Sequence, residues 1–243
     1  MTRDEQWLLE EKYGGKATEG YEEDRKRLAT GEPLGFIIGW QPFLGLKIHL
    51  DSHPLIPRPE TEWWTEQLLN ERKDTHGLRF LDLCAGSGAI GCAALERLPD
   101  AQVYFGEIDP AHEATILKNI RKNNLDESRA HVCIGDLFEP LGTTFDIIAA
   151  NPPYIPSGRT LDASVADYEP SQALYAGEDG LAVIRRIAAD LPQKLAPDGE
   201  AWIEVDSAHA NAAASLFEKH GMRASIRTDQ HGQPRIIVVS CPS

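Results

Sequence analysis

The sequence has few of the residues that build disulfides, metal sites or membrane spans. Its 243 residues include four cysteines, Cys84, Cys92, Cys133 and Cys241, and none of them forms a Cys-x-x-Cys pair. Isolated cysteines in apolar surroundings favour buried reduced thiols over disulfides or zinc. The eight histidines lack the spacing of metal ligands, so we expect no metal site.

Targeting and membrane signals are also missing from the pattern. No apolar run approaches the ~20 residues that a membrane helix needs. Residues 1–20 are charged and lack the apolar core of a signal peptide. We therefore expect a reducing compartment, the cytoplasm, with an organellar location as the alternative and with no membrane partner.

Basic charge is scarce relative to acidic charge. The chain has 24 Lys and Arg against 38 Asp and Glu, a net charge of −14. Tight binding to a nucleic-acid backbone normally requires a basic surface, so this balance argues against it, although a local basic patch remains compatible. With 42% apolar and 26% charged residues, the chain has the composition of a globular protein with one core and a small appendage.

Two different patterns precede the main domain. Residues 1–32 predict a short helical segment of two helices broken at Gly14-Gly15, with Thr18 as an N-cap. Residues 33–57 predict a β-hairpin linker, with strands at 36–38 and 43–50. Two prolines then hold Arg58 in an extended conformation, and a helix is expected from Pro59 to about residue 71.

From residue 77 onward, strands and helices alternate, so residues 58–243 predict one α/β domain. The expected strands are 79–83, 102–107, 130–134, 145–150, 200–205, 222–227 and 235–240, and the expected helices are 89–98, 110–124, 181–195 and 209–220. This order indicates a mostly parallel sheet with helices on both faces. The last two strands have no helix between them, which predicts an antiparallel hairpin at the sheet edge. Residues 155–180 show little regular pattern and suit a substrate-facing loop.

The first strand of this domain leads into a turn of small residues. The turn follows Asp82 and contains Cys84, Ala85, Gly86, Ser87 and Gly88. Small side chains let a ligand approach the backbone, and the next helix presents free N–H groups. The spacing matches neither the dinucleotide signature nor the P-loop. Taken alone, the turn is either a ligand loop or a tight connection.

Acidic residues follow the next two strands. Glu107 ends the second strand and is placed to accept hydrogen bonds from two ribose hydroxyls. Asp136 follows the third strand and can accept a bond from an exocyclic amine, and Leu137 beside it can cover a purine face. Taken singly, each acid is more often a solvated loop residue. In order at successive strand ends, with the small-residue turn, they predict a nucleoside site.

The fourth strand ends in Asn151-Pro152-Pro153-Tyr154. Proline cannot donate to a sheet ladder, so the strand stops there. The side-chain oxygen of Asn151 and the carbonyl of Pro152 can accept both N–H bonds of a target amino group, and Tyr154 can stack on a planar group. The competing interpretation is a turn that begins at Asn151 and ends in a packing tyrosine.

These segments together resemble the class I S-adenosylmethionine-dependent methyltransferases. The turn 82–88 resembles their cofactor loop, Glu107 and Asp136 occupy the positions of the ribose and adenine acids, and residues 151–154 match the motif of the amino-methylating members. The resemblance implies a Rossmann-like, mostly parallel seven-stranded sheet and S-adenosylmethionine as cofactor. It implies cofactor contacts from a set of ten residues: Asp82, Cys84, Ala85, Gly86, Ser87, Gly88, Glu107, Asp136, Leu137 and Asn151.

Flanking segments resemble the HemK/PrmC family in particular. The matching stretches are 31–39, Leu55-Ile56-Pro57-Arg58-Pro59-Glu60-Thr61-Glu62, Tyr168-Glu169-Pro170, 173–181 and the ending with Asp229, Gly232 and Arg235. That family methylates the side-chain amide nitrogen of the glutamine in the Gly-Gly-Gln motif of class I peptide-chain release factors. The resemblance implies catalysis by Asn151, Pro152 and Tyr154, and substrate contacts from these residues, Pro153 and Arg58. It implies a release factor as partner, no direct nucleic-acid partner and a monomer.

Two other functions stay open at this point. A nucleic-acid amino-methyltransferase would share residues 151–154 but predicts a basic groove and a target-recognition region. A catalytically silent binding module would keep the fold without the reaction; intact residues 151–154 and the intact cofactor acids Glu107 and Asp136 argue against it.

The sequence also departs from the family pattern. Only about 30 residues precede the linker, where the family usually has a domain of several helices, which predicts a reduced or rebuilt grip on the substrate. Cys84 stands where the family usually has Gly and is expected to adopt an ordinary backbone conformation; Glu107 stands where it usually has Asp. Arg58 faces the pocket or pairs with Glu60 or Glu62. One of Trp63 and Trp64 is expected to pack inward.

Overall fold

The computed structural model describes residues 1–242, which begin with the two predicted helices. They are α1 (Arg3–Tyr13) and α2 (Glu19–Ala29), separated by Gly14 in the left-handed conformation. The Thr18 side chain accepts the N–H of Tyr21, as expected of an N-cap. Leu8, Tyr21 and Ile37 form a small apolar cluster of their own. The assignment of residues 1–32, 33–57 and 58–243 as separate domains stays a prediction.

The predicted strand at 36–38 is wrong, because these residues lie in a short helix, α3 (Leu34–Ile38). The carbonyl of Pro33 accepts the N–H groups of Phe36 and Ile37, and Gly39 ends the helix at φ 91°. A three-residue apolar run has no periodicity that distinguishes a helix from a strand. Here the helix places Phe36 in the main core and Ile37 in the small cluster with Leu8 and Tyr21.

The hairpin is real but begins later than expected. Its strands are β1 (Trp40–Phe43) and β2 (Leu46–His49), paired antiparallel. The two residues between them, Leu44 and Gly45, have φ of 49° and 87°. A two-residue turn with both residues at positive φ matches the right-handed twist of the flanking strands.

A seven-stranded sheet forms the body of the protein, with strand order β5-β4-β3-β6-β7-β9-β8. Strands β3 to β7 run parallel, and β9 pairs antiparallel with both β7 and β8. The prediction of a Rossmann-like sheet with an antiparallel C-terminal hairpin is confirmed. Its elements are α4 (Pro59–Arg72), β3 (Arg79–Leu83), α5 (Ala89–Arg97), β4 (Gln102–Glu107), α6 (Glu113–Lys122), β5 (Ala130–Ile134), β6 (Phe145–Ala150), α7 (Ala163–Ala166), α8 (Ser171–Leu174), α9 (Ala182–Lys194), β7 (Leu195–Glu204), α10 (Ala210–Lys219), β8 (Arg223–Thr228) and β9 (Pro234–Ser240).

Core residues lie on both faces of the sheet. Along β3, Phe80 packs into a cluster with α4, α5 and α6, whereas Leu81 packs into a second cluster with α9 and α10. Ile147 and Ile148 divide in the same way on β6. Since successive side chains of a strand point to opposite faces, a central strand covered by helices on both sides is apolar throughout.

Most elements of the α/β domain match their predicted bounds to within one residue, and two elements differ by more. The helix expected at 110–124 is a 3₁₀ turn, Pro110–His112, followed by α6. Strand β7 begins at Leu195 instead of residue 200, with a register shift opposite Phe145 and Ile147 that accommodates Pro197 and Gly199. The loop 155–180 contains the short helices α7 and α8. Among residues 1–242, no helix is both long and apolar enough to cross a bilayer.

Candidate functional site

A pocket lies where β3, β4, β5 and β6 end, on either side of the point at which the strand order reverses. Open α/β sheets bind ligands at this position. The pocket brings together Cys84 and Gly86 from the loop after β3, and Glu107, Asp136 and Asn151 from the ends of β4, β5 and β6 or just after them. Its wall also includes Leu55, Gly106, Ile108, Asp109, His112, Gly135, Leu137, Pro153, Pro170, Gln172, Ala173, Tyr175, Val183 and Arg186.

The loop after β3 is held in an unusual backbone conformation. Cys84, Gly86 and Gly88 have φ of 62°, 54° and 77°. The expectation of an ordinary conformation at Cys84 is therefore wrong. A side chain at positive φ crowds its own carbonyl, at a cost of about 1–2 kcal/mol. A Cβ at Gly88 would also stand 3.2 Å from Ile116 and Phe105.

Glu107 ties this loop to the second strand of the site. One carboxylate oxygen accepts the N–H of Gly86 at 2.7 Å, and the other accepts the N–H of Asp109 at 2.8 Å. A carboxylate oxygen has room for about two hydrogen bonds. Each oxygen therefore keeps accepting capacity, and the two backbone bonds fix the carboxylate against the pocket wall.

Asp136 lies at the far end of the pocket and carries an ion pair. Its Oδ2 accepts a hydrogen bond of 2.8 Å from the guanidinium of Arg186 on α9. Leu137 beside it is buried at φ 49°. The sequence gives no signal for this role of Arg186, because it lies 50 residues after Asp136 on the helix α9.

Asp82 lies beneath the loop after β3, and 1% of its surface is exposed. It is not among the residues of 1–242 that line the pocket. Its Oδ2 accepts the N–H of Gly91 at 2.8 Å, and its Oδ1 has no hydrogen-bond partner in the described chain. Burial raises the pKa of Asp82 to about 8; the Gly91 N–H opposes this shift and the charge of Glu107 adds to it. This carboxyl supports the start of α5 from below.

The helix α6 joins the hairpin to the same loop through Asn119. Its side-chain oxygen accepts the N–H of His49 at 2.7 Å. Its side-chain nitrogen donates to the carbonyls of His49 and Ser87, at 3.1 and 2.9 Å. A fully buried amide thus satisfies the edge of β2 and one carbonyl of the loop at once.

The strand β6 ends at Asn151, whose side chain reaches toward α4. Its Nδ2 donates to Thr61 Oγ1 at 3.1 Å. Pro152 is buried, and Pro153 contributes to the pocket wall. The hydroxyl of Tyr154 donates to Glu204 Oε1 at 2.9 Å, and burial raises the pKa of Tyr154 well above its usual value.

Glu204, at the end of β7, is a buried carboxylate that the sequence patterns did not indicate. Its Oε2 accepts hydrogen bonds from Thr61 Oγ1 at 2.6 Å and Trp64 Nε1 at 2.7 Å. A glutamate within the apolar strand 200–205 was a signal that could have found it, because acids are rarely buried without partners. Both of these donors lie on α4, more than a hundred residues earlier.

Arg58 pairs with a residue that neither sequence alternative included. Its guanidinium lies 2.5 Å from Glu169, not beside Glu60 or Glu62, and Arg58 is outside the pocket lining among residues 1–242. The buried Glu169 also accepts the N–H of Ile56 at 3.2 Å. The Pro-Arg-Pro and Tyr-Glu-Pro segments are therefore partners in the fold. A substrate contact by Arg58 stays a prediction.

The tryptophan pair on α4 divides as expected. Trp64 is fully buried and stacks with Trp202, with ring centroids 6.5 Å apart. Trp63 is half-buried and packs against the same core cluster. Among residues 1–242 the four cysteines are free thiols, and no group of three or more His, Cys, Asp or Glu side chains is placed to hold a metal ion.

Comparison with known proteins gives close relatives over most of the chain. Residues 62–168 match the family model described as "Methyltransferase small domain". The chain is 36% identical to the release factor glutamine methyltransferase of Streptococcus pneumoniae over 88% of its own length and 77% of the relative's. It is 32% identical to the protein of the same name from Lactococcus lactis subsp. lactis, over 96% and 86% of the two lengths.

A solved structure gives the same architecture. The methyltransferase from Pyrococcus furiosus superposes with a TM-score of 0.56 over 90% of this chain and 97% of the other, at 16% sequence identity. At that identity the likeness is one of fold alone.

The backbone at Cys84 is testable by comparing two substitutions that both remove the thiol. Cys84→Gly should be more stable than Cys84→Ala by about 1 kcal/mol, because only alanine keeps a Cβ at positive φ. Urea unfolding measures the difference. The same pair at Cys92, inside α5, should reverse the order, since glycine costs about 1 kcal/mol in a helix. Equal stability of the two Cys84 variants would contradict the strained conformation.

The pKa of Asp82 predicts a pH dependence of stability. The folded-state pKa, about 8, lies above the unfolded value of about 4, so between these values the native state holds a proton that the unfolded chain has released. Relative to Asp82→Asn, the wild type should lose about 1.4 kcal/mol per pH unit as the pH rises from about 4 to about 8. Urea unfolding of both proteins across this range tests it, and a constant difference would refute it.

Proposed function

The chain belongs to the release factor glutamine methyltransferase family, and on this basis we propose that it methylates the side-chain amide nitrogen of a release-factor glutamine, using S-adenosylmethionine. The observation that carries the proposal is the shared pocket of Glu107, Asp136 and Asn151. It combines a nucleoside-binding wall with an amide acceptor at the end of the central strand. The target glutamine is that of the Gly-Gly-Gln motif of a class I release factor.

The residues at the cofactor end fit S-adenosylmethionine. The Glu107 oxygens, each held by one backbone N–H, keep accepting capacity for the two ribose hydroxyls. Asp136 accepts from the exocyclic amine, and Leu137 and Ile108 contact the purine. The loop 84–88 and the start of α5 hold the amino-acid portion. When bound, the cofactor supplies an electrophilic methyl group on its sulfonium. Asp82 acts through Gly91, as support for the loop.

Asn151 and its neighbours orient the nitrogen that is methylated. An amide nitrogen is a poor nucleophile, because its lone pair is delocalised into the carbonyl. The Oδ1 of Asn151 and the carbonyl of Pro152 accept its two N–H bonds, and Tyr154 and Pro153 pack on its plane. Holding the nitrogen in line with the methyl group supplies most of the acceleration. Acceptors that bind more tightly as positive charge develops supply the rest.

No side chain of the site needs to act as a strong base. Burial keeps Tyr154 a neutral phenol, since its pKa is raised well above the usual value. The proton leaves the nitrogen for water after the methyl group has been transferred. The net charge of −14 agrees with a protein substrate better than with DNA. We further propose a monomeric enzyme that acts in the cytoplasm and contacts no nucleic acid directly.

Two variants separate the catalytic and cofactor ends of the pocket. Asn151→Ala should lower kcat by roughly 30- to 1,000-fold, the loss of about 2–4 kcal/mol of transition-state stabilisation, with cofactor affinity nearly unchanged. Glu107→Ala should instead raise the cofactor Kd. Steady-state kinetics and calorimetry measure the two effects, with the exposed Glu218→Ala on α10 as control. Identical behaviour of the two variants would refute the assigned roles.

The substrate is tested with methyl-labelled cofactor and three acceptors. A purified class I release factor should take up label, and the same factor with the Gly-Gly-Gln glutamine replaced by alanine should not. Total RNA is the third acceptor. Label in RNA alone would overturn the protein substrate in favour of a nucleic-acid amine. No transfer together with no cofactor binding would favour a silent binding module.

A further inference from the structure

Beneath the pocket, one buried carboxylate collects three hydrogen bonds. Glu204 has 1% of its surface exposed, and it accepts bonds from Thr61, Trp64 and Tyr154. Two of its three donors are linked to the pocket. Thr61 is itself bonded to Asn151, and Tyr154 belongs to the same turn. The carboxylate is thus connected to both ends of residues 151–154.

The hydroxyl hydrogen of Thr61 has a single acceptor. Thr61 Oγ1 lies 2.6 Å from Glu204 Oε2, and a carboxylate can only accept. The single hydroxyl proton of Thr61 therefore points at Glu204. The Thr61 oxygen is left with lone pairs toward Asn151, at 3.1 Å.

This arrangement decides which way round the amide of Asn151 lies. The orientation of an amide is fixed by its hydrogen-bond network. Only the NH₂ group can donate to the lone pairs of Thr61, so the NH₂ faces α4 and Oδ1 is turned away from it. With the opposite orientation, two oxygens would face each other without a proton between them. Asn151 therefore presents its acceptor oxygen, and not its donor nitrogen, to the pocket.

Burial and hydrogen bonding act in opposite directions on Glu204, and its pKa is raised on balance. Burial raises the pKa of Glu204, whereas its bonds from Thr61, Trp64 and Tyr154, together with the charge of Arg235, favour the ionised form. Trp64 Nε1 can only donate, so the oxygen of Glu204 that it contacts must accept a hydrogen bond in either protonation state of Glu204. The donors offset much of the desolvation cost of the carboxylate.

We propose that Thr61 and Glu204 are positioning residues that hold the Asn151 amide with its oxygen toward the target nitrogen, while Glu204 fixes Tyr154 from the other side. The inference rests on the proposed function and deepens it. It explains why a threonine from the first turn of α4 lies beside a catalytic strand end. Neither residue touches the substrate; both act through Asn151 and Tyr154.

The test is Thr61→Val, which keeps the shape of the side chain and removes both hydrogen bonds. It should lower kcat for release-factor methylation by roughly 10- to 100-fold, with the cofactor Kd unchanged. Thr61→Ser should restore kcat to within about threefold, because the hydroxyl returns. The matched control is Thr65→Val, one turn along α4. Thr65 is equally buried, but its hydroxyl has no hydrogen-bond partner in the described chain, so kcat should not change.

A double-mutant cycle separates positioning from a general structural role. In the Asn151→Ala background, Thr61→Val should have no further effect on kcat, since the group it positions is gone. Glu204→Gln should lower kcat in the wild type, and in the Thr61→Val background only the part of that effect transmitted through Tyr154 should remain. A full Thr61→Val effect in the Asn151→Ala background, or a Thr61→Ser variant as slow as Thr61→Val, would overturn the proposal.

A second readout does not depend on the reaction. The Asn151 side-chain NH₂ should exchange slowly with solvent in nuclear magnetic resonance spectra of wild type and Thr61→Ser, and faster by about tenfold or more in Thr61→Val. If the wild type fails to methylate a release factor, the proposed function fails while this exchange still tests the positioning. Equal exchange in all three proteins would overturn the positioning itself, whichever substrate is methylated.

Discussion

A buried carboxylate needs hydrogen-bond donors, and this requirement fixes how the elements around the pocket pack against one another. Glu204 ends β7 in a fully covered position, and its donors come from α4 and from the turn after β6. Removing an ionised carboxylate from water costs several kcal/mol unless hydrogen bonds replace the lost hydration. The three elements are therefore held in one mutual arrangement. Arg58 and Glu169 provide a second example at the start of α4, where a buried acid again connects the helix to a distant loop.

Much of the fold was predictable because its signals are local. The strands at 102–107, 130–134 and 145–150 begin and end as expected, since apolar runs and adjacent turn residues define them. The N-cap at Thr18 is equally local. The error at 36–38 has the opposite cause. Three apolar residues fit either a helix or a strand, and only the packing of Phe36 and Ile37 into two different clusters decides between them.

The residues of the site also divide into those that local sequence patterns predict and those that only the folded chain brings together. Acids at successive strand ends were predictable, because parallel strands deliver their carboxyl ends to one edge. The backbone at Cys84 was not, since a cysteine gives no warning of a left-handed conformation that the surrounding turn imposes. Nor were the partners of the site residues. Thr61 and Glu204 are 143 positions apart, and Arg58 and Glu169 are 111 apart. No local pattern relates residues at such separations; the three-dimensional packing of the chain does.

The linker and the start of α4 acquire a physical role from these contacts. The hairpin, through Asn119, bonds to the carbonyl of Ser87 in the loop after β3. Thr61, just after the linker, bonds to Asn151 after β6. One continuous segment thus supports both halves of the pocket from outside the sheet. A shift of the hairpin against α6 would move the loop after β3, whereas a shift of α4 would move the amide acceptor. The packing of this segment therefore holds the two halves of the pocket in addition to the pairing of β3 with β6.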